Sequence, residues 1–306
     1  MGKYFKETMR IVITGSSGYL GKALVKHFRE QRYDVIGIDI VESNETTIVG
    51  SVTDRNLIEK VITGSDIVIH SAALHKPHIN THSKQQFIDV NITGTQNLLE
   101  TAIKNKIKSF IFTSTTSVFG HALSPGDEEP AVWINENLSP IPKNIYGVTK
   151  FAGENLCQLA HQETGLNIII LRTSRFFPKE KDINNMISGF SEENIKVIEY
   201  LHRRVNIADV VTAHEQALER ASDIGFDKFI ITATTPFKES DCAELIWNAP
   251  ATLKKYYPAY KEIFDKMGWK MFPSLSRVYD NKKAREFLGW NPKYNFSDIL
   301  ANGILK

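Results

Sequence analysis

The chain has 306 residues, of which 42% are apolar and 24% charged, and its formal net charge is +2. This composition is typical of a globular protein, and so small a net charge provides no field to attract nucleic acid or a membrane surface. No apolar run is long enough to span a bilayer, and the first nine residues are too polar for a signal peptide. The cysteines, Cys157 and Cys242, have no metal or redox spacing. We therefore expect a cytoplasmic protein with buried thiols.

Short apolar runs and amphipathic segments alternate through the first half of the chain. The runs predict strands at 10–14, 34–40, 46–50, 66–73 and 108–115. Helices are predicted at 18–31, after the N-cap candidate Asp54, and at 85–105. Because the strands are continuous apolar runs, both faces of their sheet should be covered, as in a parallel sheet. The pattern predicts a doubly wound α/β sheet with ligands at the carboxyl ends of its strands.

The second half departs from this alternation. Four prolines between Gly120 and Asn144 exclude a long helix there, so we expect a long loop. Further helices are predicted at 146–164 and 208–221, and further strands at 166–172 and 228–233. The remainder is rich in aromatic residues and prolines, which predicts a smaller mixed lobe. The expected division is a sheet domain over 10–172, to which 203–233 returns, and a lobe formed by 173–202 and 234–306.

Three regularly spaced glycines, Gly15, Gly18 and Gly21, lie between the first predicted strand and helix. In such a loop the first glycine permits the turn, the second lets backbone N–H groups approach a pyrophosphate, and the third lets helix and strand pack closely. A tight turn without a ligand could use the same residues. Asp39 favours the ligand, because a carboxylate at the end of the second strand can accept both hydroxyls of an adenosine ribose.

The same carboxylate predicts which dinucleotide binds. Asp39 would repel the 2′-phosphate of NADP, and neither lysine nor arginine occurs between Asp34 and Asp54 to bind that phosphate. The sequence therefore predicts NAD as the cofactor.

Tyr146 and Lys150, in "YGVTK", are four residues apart and would share one face of a helix. A free phenol has a pKa of about 10, which is too high for a base near neutrality. A neighbouring ammonium favours the phenolate and lowers that pKa, so that proton exchange with a substrate hydroxyl becomes feasible. A surface tyrosine and lysine on an amphipathic helix would show the same spacing.

Several motifs occur in a fixed order: the glycine loop, Asp39, "VIHSAA", "DVNITGTQNLL", "FTSTTSVFG" and "YGVTK". Together they resemble the extended short-chain dehydrogenase/reductase superfamily, in its NAD-dependent epimerase/dehydratase family. The resemblance covers about residues 10–220 and returns in "RVYDNKKAREFLGWNPKY". It implies a Rossmann-type NAD-binding domain and a smaller substrate-binding lobe.

The resemblance implies a role for each matching position. Thr115 would hydrogen-bond the reacting oxygen, Tyr146 would transfer its proton, and Lys150 would hold the nicotinamide ribose and tune Tyr146. Tyr146 and Lys150 would also contact the cofactor. Further cofactor contacts are implied for Gly15, Ser17, Gly18, Tyr19, Leu20, Gly21, Asp39, Ser51, Val52, Ser71, Ala72, Ala73, Asn91 and Thr113. Substrate contacts are implied for His75, Ser114, Thr116, Arg175, Arg203, Arg204 and Arg277.

Some of these positions have an equally simple structural interpretation. Ser114 could be a core serine bonded to backbone, and Asn91 a helix residue that bonds locally. Ser51 stands where the family often has an aspartate beside adenine, which leaves its role open. The run containing His75, Lys76 and His78 suggests a metal, but its spacing matches no recognised site, and we expect none.

The sequence also departs from the family pattern. Sugar 4,6-dehydratases carry an Asp–Glu pair after the catalytic threonine, and here Thr116 and Ser117 occupy those places. Neither can act as a carboxylate acid or base, which excludes that dehydration. Arg175 replaces an asparagine that touches the substrate diphosphate, His202 takes the place of a phosphate-binding arginine, and the lobe is shortened. These departures weaken the assignment to a UDP-sugar.

The arginines of the lobe still favour an anionic or richly hydroxylated substrate, because guanidinium groups bind phosphates and carboxylates. Lys179 fits a solvated surface charge best. The function predicted first is 4-epimerisation of a nucleotide sugar, and the alternative is an NAD-dependent dehydrogenase or reductase of another polar carbonyl compound. A non-catalytic NAD-binding protein is disfavoured, because Thr115, Tyr146 and Lys150 are all retained. Apolar residues on helices 85–105 and 146–164 predict a homodimer.

Overall fold

The computed structural model describes residues 9–126, 128–177 and 189–302, so Lys179 lies outside the described residues. The strands are β1 Arg10–Thr14, β2 Asp34–Asp39, β3 Ile48–Val49, β4 Ile67–His70, β5 Ser109–Thr115, β6 Val132–Ile134, β7 Asn167–Thr173, β8 Phe226–Ile231 and β9 Arg277–Tyr279. The helices are α1 Tyr19–Glu30, α2 Arg55–Ile62, α3 Lys84–Ile88, α4 Gly94–Lys104, α5 Ile145–Thr164, α6 Glu192–Tyr200, α7 Ile207–Ile224, α8 Cys242–Tyr256, α9 Tyr260–Met267 and α10 Phe296–Asn302. Within these residues, no helix combines the length and apolarity needed to cross a membrane.

Seven strands form the main sheet, in the order β3-β2-β1-β4-β5-β7-β8. The pairs β1–β2, β1–β4, β2–β3 and β4–β5 are parallel. The residues Ile11, Val12 and Ile13 of β1 have no exposed surface, as expected for a strand covered on both faces. The prediction of a doubly wound, Rossmann-type α/β sheet is confirmed.

The chain separates into two compact units. The first comprises the described chain up to Thr115 with Asn144–Leu171 and His214–Lys228, and the second comprises Thr116–Lys143, Arg172–Ala213 and the chain from Phe229. The contacts therefore assign residues 116–143, 203–213 and 229–233 to the second unit, whereas the sequence predicted them in the sheet domain. The assignment of NAD and substrate to separate domains stays a prediction.

Local signals account for the helices on which the first unit depends. Asp54 caps α2 as predicted, because its Oδ1 accepts a hydrogen bond from the Leu57 N–H at 3.1 Å. Asn144 begins α5 in the same way, accepting from the Gly147 N–H at 2.9 Å, and Gly165 ends it in a left-handed conformation with φ of 73°. Tyr146 is thereby placed in the first turn of α5.

The single helix predicted over 85–105 is interrupted. A π-helical segment, Asp89–Thr93, separates α3 from α4 and holds the buried side chain of Asn91. The periodicity of apolar residues could not reveal this segment, because a π-turn adds only one residue to the helical repeat.

The second unit has its own core, in which Val197, Leu253 and Phe296 are fully buried. Its C-terminal "LGWNP" segment is fixed by Asp209: the Trp290 Nε1–H donates to its backbone carbonyl at 3.0 Å, and two later backbone N–H groups donate to its carboxylate. A small parallel sheet of β6 and β9 was not predicted, since each strand has only three residues.

Candidate functional site

The glycine loop after β1 is shaped by close approaches that exclude side chains. Gly15 has a φ of +77°, and a Cβ there would lie 2.8 Å from the backbone nitrogen of Ala72. A Cβ on Gly21 would lie 1.9 Å from the carbonyl oxygen of Gly15. Gly18 caps α1 and donates its N–H to the Gly15 carbonyl at 3.0 Å. The loop and the start of α1 can therefore pack closely only with glycine at these positions.

The first turn of α1 follows this loop and contains no acidic residue. The helix dipole gives this end a partial positive charge that suits an anion. Leu20 is buried against the core, whereas Tyr19 is 41% exposed.

Asp39, the last residue of β2, is fixed by the glycine loop. Its Oδ2 accepts the Ser17 N–H at 3.0 Å, and its Oδ1 accepts the Val41 N–H at 3.0 Å. Each carboxylate oxygen retains capacity for a further hydrogen bond. The arrangement is compatible with the predicted ribose contact.

The adenine positions predicted at Ser51 and Val52 differ in exposure. The Ser51 hydroxyl bonds that of Thr53 at 2.8 Å, and Val52 is only 5% exposed within the core. A Cβ on Gly94 would lie 2.5 Å from Val52 Cγ2. Val52 therefore packs against α4, and its cofactor contact stays a prediction.

The loop after β4 carries the predicted residues Ser71, Ala72 and Ala73. Ser71 Oγ donates to the carbonyl of Thr14 at 2.7 Å, and the Ala72 N–H donates to the Thr14 hydroxyl at 3.2 Å. The loop is therefore tied to the end of β1, next to the glycine loop.

The Asn91 side chain forms hydrogen bonds with both backbone polar groups of Leu74, the next residue of this loop. Its Oδ1 accepts the Leu74 N–H at 2.8 Å, while its Nδ2 donates to the Leu74 carbonyl at 2.9 Å and to the Thr149 hydroxyl at 2.9 Å. Asn91 is 1% exposed. Its side chain thus links the β4 loop to α5, and this link reaches beyond the local helix bonding considered from the sequence.

His75 and His78 lie in this loop with ring centroids 4.5 Å apart. Burial, with a smaller effect of His78, lowers the pKa of His75 to about 4. Burial and His82 lower the pKa of His78 as well. Both rings are therefore neutral near neutral pH. Across the described ranges, no cluster of three or more His, Cys, Asp or Glu residues could hold a metal ion.

Thr115, Tyr146 and Lys150 come together at the end of β5 and the start of α5. Tyr146 forms a side-chain hydrogen bond with Thr115. Burial raises the pKa of Tyr146 to about 12, and the bond to Thr115 acts in the opposite direction. Lys150, one turn further along α5, is 1% exposed, and its Nζ lies 3.8 Å from the centroid of the Phe112 ring.

The environment of Lys150 differs from that expected for a surface lysine. Burial lowers its pKa to about 7, while Cys157 and Glu154 act in the opposite direction. The alternative considered from the sequence, a surface tyrosine and lysine on an amphipathic helix, does not fit the burial of Lys150. Burial also opposes the predicted acidification of Tyr146, so the two side chains do not by themselves form a phenolate–ammonium pair near pH 7.

The neighbouring hydroxyls of β5 have protein partners. Thr113 Oγ1 lies 2.8 Å from His214 Nε2, and Ser114 Oγ donates to Glu154 Oε1 at 2.6 Å. Sequence reasoning missed both His214 and Glu154. Glu154 had a visible signal, because an acidic residue four positions after Lys150 continues the same helix face.

In the second unit, three predicted substrate arginines converge on one carboxylate. Arg175 and Arg203 donate to Glu199 Oε1 at 2.8 Å each, and Arg204 donates to Oε2 at 2.7 Å. Glu199 is 1% exposed. Burial acts to raise its pKa, but the three guanidinium groups outweigh burial and hold that pKa below its usual value. One carboxylate therefore neutralises only part of a concentrated positive charge.

Arg277 and Thr116 complete the predicted substrate residues of this unit. Arg277 lies near Arg203 and His202, and its buried Nε has no hydrogen-bond partner among the described residues. Thr116 is 8% exposed and forms a hydrogen bond with Tyr279.

Comparison with known proteins identifies the family. The model of the NAD dependent epimerase/dehydratase family matches residues 11–230. The chain belongs to this family. Family membership accounts for the order of the glycine loop, Asp39, Thr115, Tyr146 and Lys150 along the chain.

Relatives within the epimerase/dehydratase family are distant. An uncharacterized UDP-glucose epimerase of Bacillus subtilis is 31% identical over 186 residues, which are 54% of this chain and about half of that protein (55%). A UDP-glucose 4-epimerase of Halalkalibacterium halodurans is 30% identical over 324 residues, covering 94% of this chain and 91% of the relative. The crystal structure of a UDP-glucose 4-epimerase from Thermotoga maritima has a TM-score of 0.66 at 24% identity, covering 95% and 96% of the two chains. At this identity the structural likeness shows the fold.

Proposed function

We propose that this chain binds NAD and interconverts a secondary hydroxyl and its ketone on a nucleotide sugar, with 4-epimerisation as the net reaction. The observation that carries the proposal is the hydrogen bond between Thr115 and Tyr146, with Lys150 one helical turn away. The Halalkalibacterium halodurans relative, which is named a UDP-glucose 4-epimerase and aligns over 94% of this chain, supports the same reaction class.

The residues of the first unit fit NAD. At Gly15 a Cβ would collide with the Ala72 backbone, so only glycine allows the tight turn that leads into the positive end of α1, where a pyrophosphate would bind. Asp39 is held in place to accept ribose hydroxyls. Lys150 would hold the nicotinamide ribose. Bound NAD supplies a hydride acceptor that can also return the hydride.

The proton is moved by the side chains at the start of α5. In the oxidative direction Tyr146 Oη accepts the proton of the substrate hydroxyl, and Thr115 Oγ donates a hydrogen bond to the same oxygen. In the return direction Tyr146 gives the proton back, so an epimerisation leaves no net redox change. Thr116 and Ser117 provide no carboxylic acid, and we therefore do not extend the proposal to 4,6-dehydration.

The arginines of the second unit support an anionic substrate, because guanidinium groups bind phosphate and carboxylate oxygens in paired hydrogen bonds. The same arginines favour a second candidate function. Since Arg175, Arg203 and Arg204 are already bound to Glu199, fewer donors are available for a diphosphate. The second candidate is an NAD-dependent dehydrogenase or reductase of a smaller anionic or polyhydroxylated compound.

Two measurements on the purified protein separate these candidates. The protein is denatured and released NAD is quantified, and the native protein is incubated with UDP-glucose or UDP-galactose and analysed by NMR. We expect about one NAD per chain and formation of the 4-epimer. Exchangeable NAD with no epimer would favour the dehydrogenase or reductase, and a protein that binds no NAD would contradict both.

We also propose that the protein is cytoplasmic and homodimeric. Both cysteines are free and buried, which suits a reducing compartment. Ile88 on α3 and Val148 and Leu159 on α5 are 37%, 48% and 49% exposed, which leaves apolar surface for a second copy. Light scattering should give a dimer at micromolar concentration, and Leu159→Lys should weaken it. A monomeric wild-type protein would overturn the homodimer.

A further inference from the structure

The face of α5 that carries Lys150 continues into a buried carboxylate. Glu154 lies four residues later on the helix and has no exposed surface. Residues at this spacing are neighbours on one helix face. An ionised carboxylate is rarely buried to this extent without a partner that compensates its charge.

The Ser114 hydroxyl donates to Glu154 Oε1 at 2.6 Å, within the usual range for a bond to a charged acceptor. Ser114 is 2% exposed and immediately precedes Thr115. The bond joins β5 to α5 across 40 positions of sequence. It therefore ties Glu154, and with it the helix that carries Tyr146 and Lys150, to the strand that carries Thr115.

Tight packing fixes Lys150 on the same side. A Cβ on Gly153 would lie 2.7 Å from Phe112 Cζ, so the glycine allows α5 to approach the ring closely. The Lys150 Nζ lies 3.8 Å from the centroid of that ring. A cation is attracted to the face of an aromatic ring, but a ring alone compensates only part of the desolvation of an ammonium.

The groups that act on Lys150 come from two elements. On α5, Glu154 and Cys157 favour the ammonium form, and on β4 His70 lies close enough to interact with it. Burial raises the pKa of Cys157 and lowers that of His70, so near neutral pH the thiol and the imidazole are both uncharged. Glu154 is then the group on this face that can supply a negative charge.

We propose that Glu154, held by Ser114, is a positioning residue that favours the ammonium form of the buried Lys150. Ser114 accordingly serves Glu154 and does not bind substrate. The catalytic part of this inference rests on the proposed function, because it assigns Lys150 the task of favouring the Tyr146 phenolate.

The first test measures the pH dependence of turnover. In Glu154→Gln, the limb that rises with pH in the oxidative direction should move up by about one pH unit, which is roughly a tenfold loss on that limb. Glu154→Asp, which keeps the charge, should return the limb most of the way to its wild-type position, and Ser114→Ala should move the limb less than Glu154→Gln does. Glu163→Gln makes the same chemical change at an exposed position of α5 and should leave the profile unchanged. An equal loss at every pH would overturn the proposal.

The second test needs no activity and separates this inference from the proposed function. Urea unfolding is compared for wild type, Lys150→Met, Glu154→Gln and the double variant at pH 7. If the two charges are coupled, Glu154→Gln should destabilise the Lys150→Met protein less than the wild type. Equal destabilisation in both backgrounds would overturn the inference, whichever substrate the enzyme uses. Coupling in a protein that binds no NAD would support the charge pair and contradict the proposed function.

Discussion

Glu154 on α5 and Glu199 on α6 are both buried, but they neutralise different kinds of cation. Glu154 shares its helix face with one lysine, whose pKa burial lowers to about 7. Glu199 binds three arginines. A buried lysine can lose its proton near neutral pH, whereas a guanidinium remains charged at any pH a protein tolerates.

This difference between a titrating lysine and permanently charged arginines suits the two regions to different tasks. A region that exchanges a proton with a substrate needs a group whose protonation can change near the working pH, as that of Lys150 can. A region that binds an anion needs a charge that stays constant, which the arginines around Glu199 provide. The following experiments test the two halves of this comparison, beginning with the largest expected effect.

Tyr146→Phe removes one oxygen from the proton-exchanging region and keeps the ring. General acid–base groups contribute about 10²–10⁴-fold in rate, so turnover should fall by that order while NAD affinity is retained. The measurement is turnover against pH, in which the limb that rises with pH in wild type should disappear. Tyr33→Phe removes a hydroxyl elsewhere in the first unit and serves as control. Wild-type turnover in Tyr146→Phe would refute its role as the proton carrier.

Glu199→Gln removes the buried anion from the permanently charged region. Breaking a buried ion pair by removing one partner typically costs about 3–5 kcal/mol, because an uncompensated charge remains in the interior. We expect a loss of this size in the free energy of unfolding measured in urea. Glu193→Gln, at an exposed position of the same helix, should change stability by less than about 0.5 kcal/mol. Similar values for the two variants would mean that the arginines do not depend on Glu199.

Asp39 is a third carboxylate, and within the described part of the chain its partners are backbone N–H groups and not cations. Hydrogen bonds to charged groups contribute about 1.5–3 kcal/mol, so Asp39→Asn should weaken NADH binding by roughly 10-fold to 100-fold. The preference of the Asp39→Asn variant for NADH over NADPH should also be smaller than that of the wild type, since repulsion of the 2′-phosphate is lost. Glu42→Gln, an exposed change in the loop after β2, is the control. Fluorescence titration with each nucleotide measures both effects, and equal affinities in wild type would contradict the assignment.

The features predicted correctly from the sequence are those whose physical cause is local. The glycine loop, the Asp54 cap and α5 each depend on residues within a few positions of one another. The bond between Ser114 and Glu154 joins residues 40 positions apart, and β6 pairs with β9 across more than a hundred residues. No spacing rule connects such residues. The burial of Lys150 also escaped the sequence, since it follows from Gly153 and Phe112 packing together.

The smallest expected effect is on the pH dependence of the free energy of unfolding, which should differ between the two regions. The pKa of Lys150 is about 7 in the folded chain and 10.5 as its ordinary value, so between these limits the unfolded chain binds more protons. Stability relative to Lys150→Met should therefore rise with pH above 7, by at most about 1.4 kcal/mol per pH unit, and be flat below it. Urea unfolding between pH 6 and 9 measures this difference. The matching difference between wild type and Glu199→Gln should stay flat over the same range, because the pKa of Glu199 lies well below it and arginines do not titrate there. A flat curve for Lys150 would show that its ammonium is as permanent as the guanidinium groups, and the distinction between the two regions would fail.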